Sequence, residues 1–248
     1  MKIVVIIPSR YGSTRFAGKP LALIKGKPMI QWVYETAKNG KGVFDVVVAT
    51  DDQRIVDAVE RFEGRALMTG EENRSGTDRV AEAARKMGLH PNDIVVNIQG
   101  DQPAFVAAHI DEVVNPLIHN REAEMTTLAF KILDPQERTN PKDCKVIFDC
   151  QGYALYFSRS PIPYARDTDT VFDTYKHLGI YAYTRRFLDT FRKLPSGRLE
   201  TIEKLEQLRA LEHGHRIKVV VTEYDSPEVD VPADIPHIEA MMKKPVQG

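Results

Sequence analysis

Short, continuous apolar runs alternate with helix-period segments along the first half of the chain, and no other feature limits the fold as much. Lys2–Pro8 and Phe44–Thr50 are apolar and β-branched on consecutive positions, the mark of strands buried on both faces. Ala66–Met68 and Asp93–Gln99 read as two more strands. Between them, Pro28–Lys38 places Met29, Ile30, Val33 and Ala37 on one helical face. Asp51 or Asp52 caps a helix carrying Ile55, Val56, Val59 and Phe62, and Thr77–Met87 and Ala108–His119 are also helical. Short connections in this order predict a mostly parallel sheet with helices on both faces.

Beyond residue 119 the rhythm changes. Met125–Ile132, Lys145–Asp149 and Tyr153–Ser158 are predicted strands with no helix between them, the last two joined by a hairpin at Gln151-Gly152. A polar loop, Pro161–Asp173, precedes a strand at His177–Thr184 and a helix at Arg185–Leu194. Leu199, Ile202, Leu205, Leu208 and Leu211 stripe a further helix; Arg216–Glu223 reads as a strand and Ala233–Lys243 as a last helix. The expectation is a single α/β domain over 1–248 with an inserted antiparallel section at roughly 125–195.

Composition removes several functions. Lys+Arg 34 against Asp+Glu 35 gives a net charge of −1, without the basic excess of a nucleic-acid or membrane-surface binder. Apolar runs fall far short of the ~20 residues of a membrane span. Cys144 and Cys150 lack metal or disulfide spacing, and Met1-Lys2 runs straight into a strand without a leader, so a reducing, cytoplasmic setting is expected.

The near-neutral balance hides one concentration of charge. From Met1 to Tyr34 there is no acid, while Lys2, Arg10, Arg15, Lys19, Lys25 and Lys27 all fall there. The loop Pro8-Ser9-Arg10-Tyr11-Gly12-Ser13-Thr14-Arg15 leaves the first strand at its carboxyl end, where parallel sheets bind ligands. Glycine allows close approach, amides point at an anion and cations neutralise it, so the loop suits a polyphosphate. It is neither GxGxxG nor GxxxxGK[ST], which disfavours a nicotinamide enzyme and a P-loop ATPase. Asp101 follows Gly100 at the end of another strand, and Asp230 follows the Arg216–Glu223 strand. Two carboxylates at neighbouring strand ends could share one Mg²⁺.

With Gly18-Lys19-Pro20-Leu21, this loop resembles the 3-deoxy-manno-octulosonate (Kdo) cytidylyltransferases, the CMP-Kdo synthetases of lipopolysaccharide assembly. The resemblance continues through Ala49-Thr50-Asp51, Arg74-Ser75-Gly76-Thr77-Asp78-Arg79, Asn97-Ile98-Gln99-Gly100-Asp101, Gly152–Arg159, His177–Tyr181 and Leu199–Arg209. It implies a nucleotide-diphospho-sugar-transferase-like, Rossmann-like fold with an antiparallel dimerisation section, and a homodimer. It implies CTP on Pro8, Ser9, Arg10, Ser13 and Lys19, with Arg74, Ser75 and Gly76 near the cytidine. Arg10, Arg15, Lys19 and Asp101 would act in catalysis, Arg15 and Lys19 on the leaving pyrophosphate, and Asp101 with Asp230 on Mg²⁺. The sugar acid would meet Gln99, Arg159, Tyr164, His177, Tyr181, Glu200 and Glu203.

The chain departs from the family pattern on the expected sugar side. Gln102 and Tyr164 stand where an acid and a tryptophan are usual, and Ser196–Glu200 is one residue longer. An 8-amino-8-deoxy octulosonate is therefore a candidate acceptor beside Kdo. A sugar nucleotidyltransferase using UTP or GTP, and a non-catalytic nucleotide-binding regulator, are the rival readings.

Overall fold

The computed structural model describes residues 1–12, 16–120, 122–167 and 169–242. The chain forms β1 (Ile3–Ser9), the short pair β2 (Leu23–Ile24) and β3 (Lys27–Pro28), α1 (Met29–Ala37), β4 (Val43–Thr50) and α2 (Gln53–Arg61). It continues through β5 (Ala66–Met68), α3 (Gly76–Lys86), β6 (Ile94–Asn97), α4 (Ala108–His119), β7 (Met125–Lys131), β8 (Lys145–Phe148) and β9 (Ala154–Ser158). The last elements are β10 (Tyr175–Thr184), α5 (Arg185–Lys193), α6 (Arg198–Glu203), α7 (Leu208–Glu212), β11 (Lys218–Thr222) and α8 (Ile235–Met241).

The central sheet runs β11-β7-β10-β6-β1-β4-β5, and only β10 opposes the common strand direction. Alternation along β1 sends its side chains to opposite faces. Val4 and Ile6 join a core with Val80 and Ala84 of α3 and Phe187 and Phe191 of α5. Val5 and Ile7 join a second core with Ile30 and Val33 of α1 and Val113 and Leu117 of α4. Asp52 and Ser75 cap α2 and α3, each side-chain oxygen accepting a first-turn N–H.

Two registers shape the functional end. Ser9 pairs with Thr50 and Ile6 with Asn97, so β1, β4 and β6 finish at one edge. Tyr181 of the reversed β10 also pairs with Asn97. Residues 176–180, which precede it in β10, therefore extend past the end of β6. Within 125–195, β7 and β10 lie inside the central sheet, and the β8–β9 hairpin pairs with the first half of β10 through Lys145 and Lys176.

Three elements differ from the sequence reading. The strand expected at Asp93–Gln99 ends at Asn97, which leaves Ile98 to Asp101 free to turn across the sheet edge. The helix expected along the leucine stripe is two helices, broken where Lys204 takes a left-handed φ of 55°. Glu203 is held there by the Ser158 hydroxyl at 2.7 Å and the Arg159 N–H at 3.0 Å, while Arg209 reaches back to Glu200. Those bonds fold α7 onto α6, so Leu205 and Leu208 are buried but Ile202 remains 66% exposed. The final helix begins at Ile235, after a 3₁₀ turn at Pro232–Asp234.

Phe187 carries much of the α5 packing. Its ring lies 6.3 Å from those of Tyr183 and Phe191 and 5.2 Å from His215. Phe187→Ala is expected to destabilise the fold by about 3–5 kcal/mol through the cavity it leaves. Urea unfolding checks this as a lower midpoint at unchanged m-value.

Candidate active site

A cleft of about 1330 Å³ opens at the shared strand edge. Its walls come from the loop after β1, the start of α3, the turn after β6, the overshooting half of β10, α6–α7 and the segment before α8. This is where a mostly parallel sheet exposes backbone groups to a ligand.

Pro8, Ser9, Arg10 and Lys19 line the side of the cleft next to β1, where the sequence reading expects the nucleotide. Ser13 and Arg15 lie outside the described residues. The Ser9 hydroxyl is buried and has no hydrogen-bond partner. A Cβ on Gly100 would stand 2.5 Å from that oxygen, so the glycine is required for closeness, with a φ outside the left-handed region. Gly76 opens α3 beside Pro8 and Gln99, and the Ser75 hydroxyl accepts the Asp78 N–H at 3.2 Å. Arg74 is anchored by Asp78 at 2.8 Å and by the Arg192 carbonyl at 3.3 Å. The first loop and the α3 N-terminus thus present cations and amides to one space, the requirement for holding a nucleotide's phosphates.

Asp101 and Asp230 meet around Lys19. Its ammonium is 2.5 Å from Asp101 Oδ2 and 3.9 Å from Asp230 Oδ1. The meeting has a backbone cause: the Val229 N–H donates to the Asp101 carbonyl at 2.9 Å. The Asp230 and Val231 N–H groups donate to Asp234 Oδ2 at 2.8 and 2.9 Å, which fixes the turn. Among the described residues no three His, Cys, Asp or Glu side chains group as a metal cage. Two carboxylates facing one cation nonetheless fit Mg²⁺, which takes one or two carboxylates and completes its shell with substrate phosphate and water. Asp101 Oδ1, buried and without a hydrogen bond, is a free ligand atom of the right kind.

Glu228 is the third acid here. It touches the cleft's solvent yet is crowded by protein, and this desolvation pushes it up to about 8, with the charges of Asp101 and Asp230 adding to the rise. A cation brought among the three carboxylates would return it to its ionised form.

The opposite wall holds Gln99, Arg159, His177, Tyr181 and Glu200. Gln99 is steadied by Asn97 at 3.2 Å. Arg159 donates to the Glu203 and Pro141 carbonyls at 2.7 and 2.9 Å. His177 packs between Phe157 and Tyr181 with Nε2 2.9 Å from the Thr127 hydroxyl, and burial lowers its pKa to about 3, so it is neutral. The Tyr181 hydroxyl donates to Gln207 at 3.1 Å. Glu203 is outside the cleft lining and serves as the clasp between α6 and the end of β9. Tyr164 is 91% exposed and also outside the lining.

Arg209 escaped the sequence reading. It is almost fully buried, borders the cleft, and binds Glu200 through Nε at 2.9 Å and Nη2 at 2.5 Å, with Asp78 at 3.6 Å. Burial opposes its charge, but these acids raise its pKa and hold the guanidinium ionised. The available signal was a lone cation flanked by Leu208 and Ala210 in an apolar stripe. Glu228 had a similar signal, an acid two positions before Asp230.

A cation-bearing turn after β1 with a pair of aspartates across from it suits a nucleotidyltransferase. Comparison with known proteins narrows the class. Residues 4–217 match the model of the cytidylyltransferase family, and the chain belongs to that family. It is 70% identical, over 98% of each chain, to a protein of Desulfosudis oleivorans named 3-deoxy-manno-octulosonate cytidylyltransferase. It is 55% identical to a protein of Shewanella piezotolerans named 8-amino-3,8-dideoxy-manno-octulosonate cytidylyltransferase, over 98% of this chain and 99% of that one. A solved structure of CMP:2-keto-3-deoxy-manno-octonic acid synthetase complexed with CTP superposes with a TM-score of 0.91 at 41% identity, over 98% of each chain. The expected α/β architecture is the one observed.

The loop carrying Arg74 depends on Glu82. Burial alone would raise this carboxyl, but Lys86, Asn73 and the Gly70 N–H hold it down at about 2. A depressed carboxylate contributes stability above its ordinary 4.5 and loses it as pH falls toward 2. Glu82→Gln is therefore expected to flatten the stability decline between those values by up to about 3 kcal/mol. Chemical unfolding of both proteins across that window measures the difference.

Proposed function

We propose that the chain transfers the cytidylyl group of CTP to the anomeric hydroxyl of an octulosonic acid, Kdo or its 8-amino-8-deoxy analogue, releasing pyrophosphate and supplying lipopolysaccharide assembly. The observation that carries this is the convergence of Lys19, Asp101 and Asp230 between the first loop and the His177–Tyr181 wall. The relatives' names support the two sugars.

The step is an in-line displacement. The sugar oxygen bonds to the α-phosphorus, the bond from that phosphorus to the bridging oxygen of pyrophosphate breaks, and the hydroxyl proton leaves to solvent. Arg10 faces the triphosphate and shields the phosphorus from the sugar carboxylate, since two anions must approach each other. Lys19 neutralises charge on the departing pyrophosphate. Ser75 and Gly76 hold the cytidine side, and Arg159 receives the sugar carboxylate. Mg²⁺, when held by Asp101 and Asp230, would supply Lewis acidity that lowers the hydroxyl pKa and stabilises transition-state charge.

Lys19→Ala is expected to lower kcat/KM for CTP by about 10³-fold or more while leaving the circular-dichroism spectrum unchanged. Pyrophosphate release tests this, and release with UTP or GTP in preference to CTP would sink the reading. CTP binding without any pyrophosphate release from the native chain would favour a regulator instead.

The protein acts as a homodimer in the cytoplasm in this reading. Leu133, Leu155 and Val171, all more than half exposed within 125–195, are apolar side chains that a second copy would cover. Among the described residues no helix is long and apolar enough to cross a membrane. Sedimentation equilibrium is expected to give twice the 28.1 kDa chain mass; the chain mass itself would rule the dimer out.

A further inference from the structure

We propose that His109, buried behind the cleft, is a positioning residue that clamps the segment following Asp101 to the segment preceding Asp230, and so sets how the two carboxylates face each other. The inference rests on the reading in which this pair serves cytidylyl transfer, and it adds a residue that the reading does not use.

His109 lies in the first turn of α4 and is fully buried. Its two ring nitrogens meet different parts of the chain. The Val106 N–H points at Nδ1 over 3.3 Å, and Nε2 lies 3.0 Å from the Tyr224 carbonyl oxygen. A backbone N–H only donates and a carbonyl only accepts, so both roles are fixed: Nδ1 offers its lone pair, Nε2 carries the proton, and the ring is neutral. Burial lowers the pKa of this imidazole and favours the same form. The Tyr224 ring meets it edge-on at 6.1 Å.

Each partner belongs to a segment that carries one aspartate. Around Asp101 the chain makes two tight turns, with the Gln102 N–H on the Gln99 carbonyl at 3.2 Å and the Phe105 N–H on the Gln102 carbonyl at 3.3 Å, and then reaches Val106. From Tyr224 it runs past Asp225, which Lys176 of β10 holds at 2.9 Å, to Val229 and Asp230. The Val229 N–H on the Asp101 carbonyl is one tie between the two segments. A single hydrogen bond is a pivot, about which Asp230 could swing relative to Asp101. The imidazole makes a second tie at the far end of the same two segments, and two separated ties remove the swing. A site that depends on two carboxylates is only as well ordered as the chain behind them.

Packing alone does not call for a histidine here. Ile110, Val113, Val114 and Leu117 of the same helix are buried in the second core, where an apolar side chain at 109 would fill space without a polar cost. Burying an imidazole costs desolvation, which only its two hydrogen bonds offset. One bond is local, reaching back across the start of α4 as the second half of a capping box does. The other spans 115 positions of sequence, and its partner is a backbone carbonyl of a residue whose own side chain is 37% exposed. Tyr224 therefore does not hold its segment through its own burial; the imidazole holds it.

Three variants test the clamp. His109→Phe keeps a buried ring and loses both bonds. His109→Gln presents one acceptor and one donor, as the neutral imidazole does. Phe187→Ala, in the core on the other face of the sheet, controls for lost stability. Hydrogen exchange read by mass spectrometry, without substrate, is expected to speed up by about 10-fold or more over 224–230 in His109→Phe while β1 keeps its native rates. The Mg²⁺ concentration giving half-maximal pyrophosphate release from saturating CTP and Kdo is expected to rise by about 10-fold in the same variant. His109→Gln is expected to behave as the native chain in both measurements, and Phe187→Ala to move neither. Native exchange and a native Mg²⁺ requirement in His109→Phe, or equal shifts in Phe187→Ala, would overturn the clamp. Nitrogen NMR of the native imidazoles is expected to show His109 as the neutral Nε2–H tautomer; the Nδ1–H tautomer or an imidazolium would overturn the clamp even if His109→Phe fails to fold. A native chain that does not turn over CTP would strike the transferase reading alone, because the exchange comparison needs no substrate.

Discussion

Like charges forced into one small space are the constraint on which this structure turns. Asp101, Asp230 and Glu228 stand within mutual influence because the Val229 N–H is committed to the Asp101 carbonyl. Left alone, the cluster would be unfavourable, and Lys19 offsets it by placing its ammonium between two of the carboxylates. Under the proposed function, that arrangement lies where CTP would be brought against a sugar acid. The same crowding that raises Glu228 would favour a divalent ion under the proposed function.

The reversed strand supplies the other half of the site. In an all-parallel sheet the strand beside β6 would stop near Asn97 and leave a helix start there. Because β10 runs the other way, its first half continues outward and offers side chains on a rigid scaffold. His177 and Tyr181 are fixed by ring packing and by Thr127 and Gln207, and they remain neutral. Gly179 between them leaves room. A polyhydroxylated acceptor needs such preorganised neutral partners, since hydrogen bonds to loose side chains would lose ordering entropy on binding.

The α6–α7 corner links substrate walls to the core. Arg209 ties Glu200 to Asp78, and Asp78 in turn holds Arg74. One buried guanidinium therefore connects the expected sugar side to the expected cytidine side. Leaving any of these acids without its cation would strand a buried charge, which makes the corner stiff.

Much of this was legible in the sequence. Strand runs such as Ile3–Ile7 and the Asp52 and Ser75 caps are local, since buried strands are continuous in apolar residues and caps need only their own first turn. The acid-free first loop pointed to an anion site because charge is counted along the chain, a reading that belongs to the proposed function, and ordered motifs identified the family. Tertiary structure alone decided the break at Lys204, the fate of Glu203 as a clasp, the exposure of Tyr164, the partners of Arg209 and the acidic neighbours of Glu228. Each depends on which distant segment arrives opposite, and periodicity holds no record of that. Sequence determined which groups could bind a nucleotide; only the register of β10 and the Val229–Asp101 bond decided which carboxylates would share a cation, because electrostatics acts through space and not along the chain.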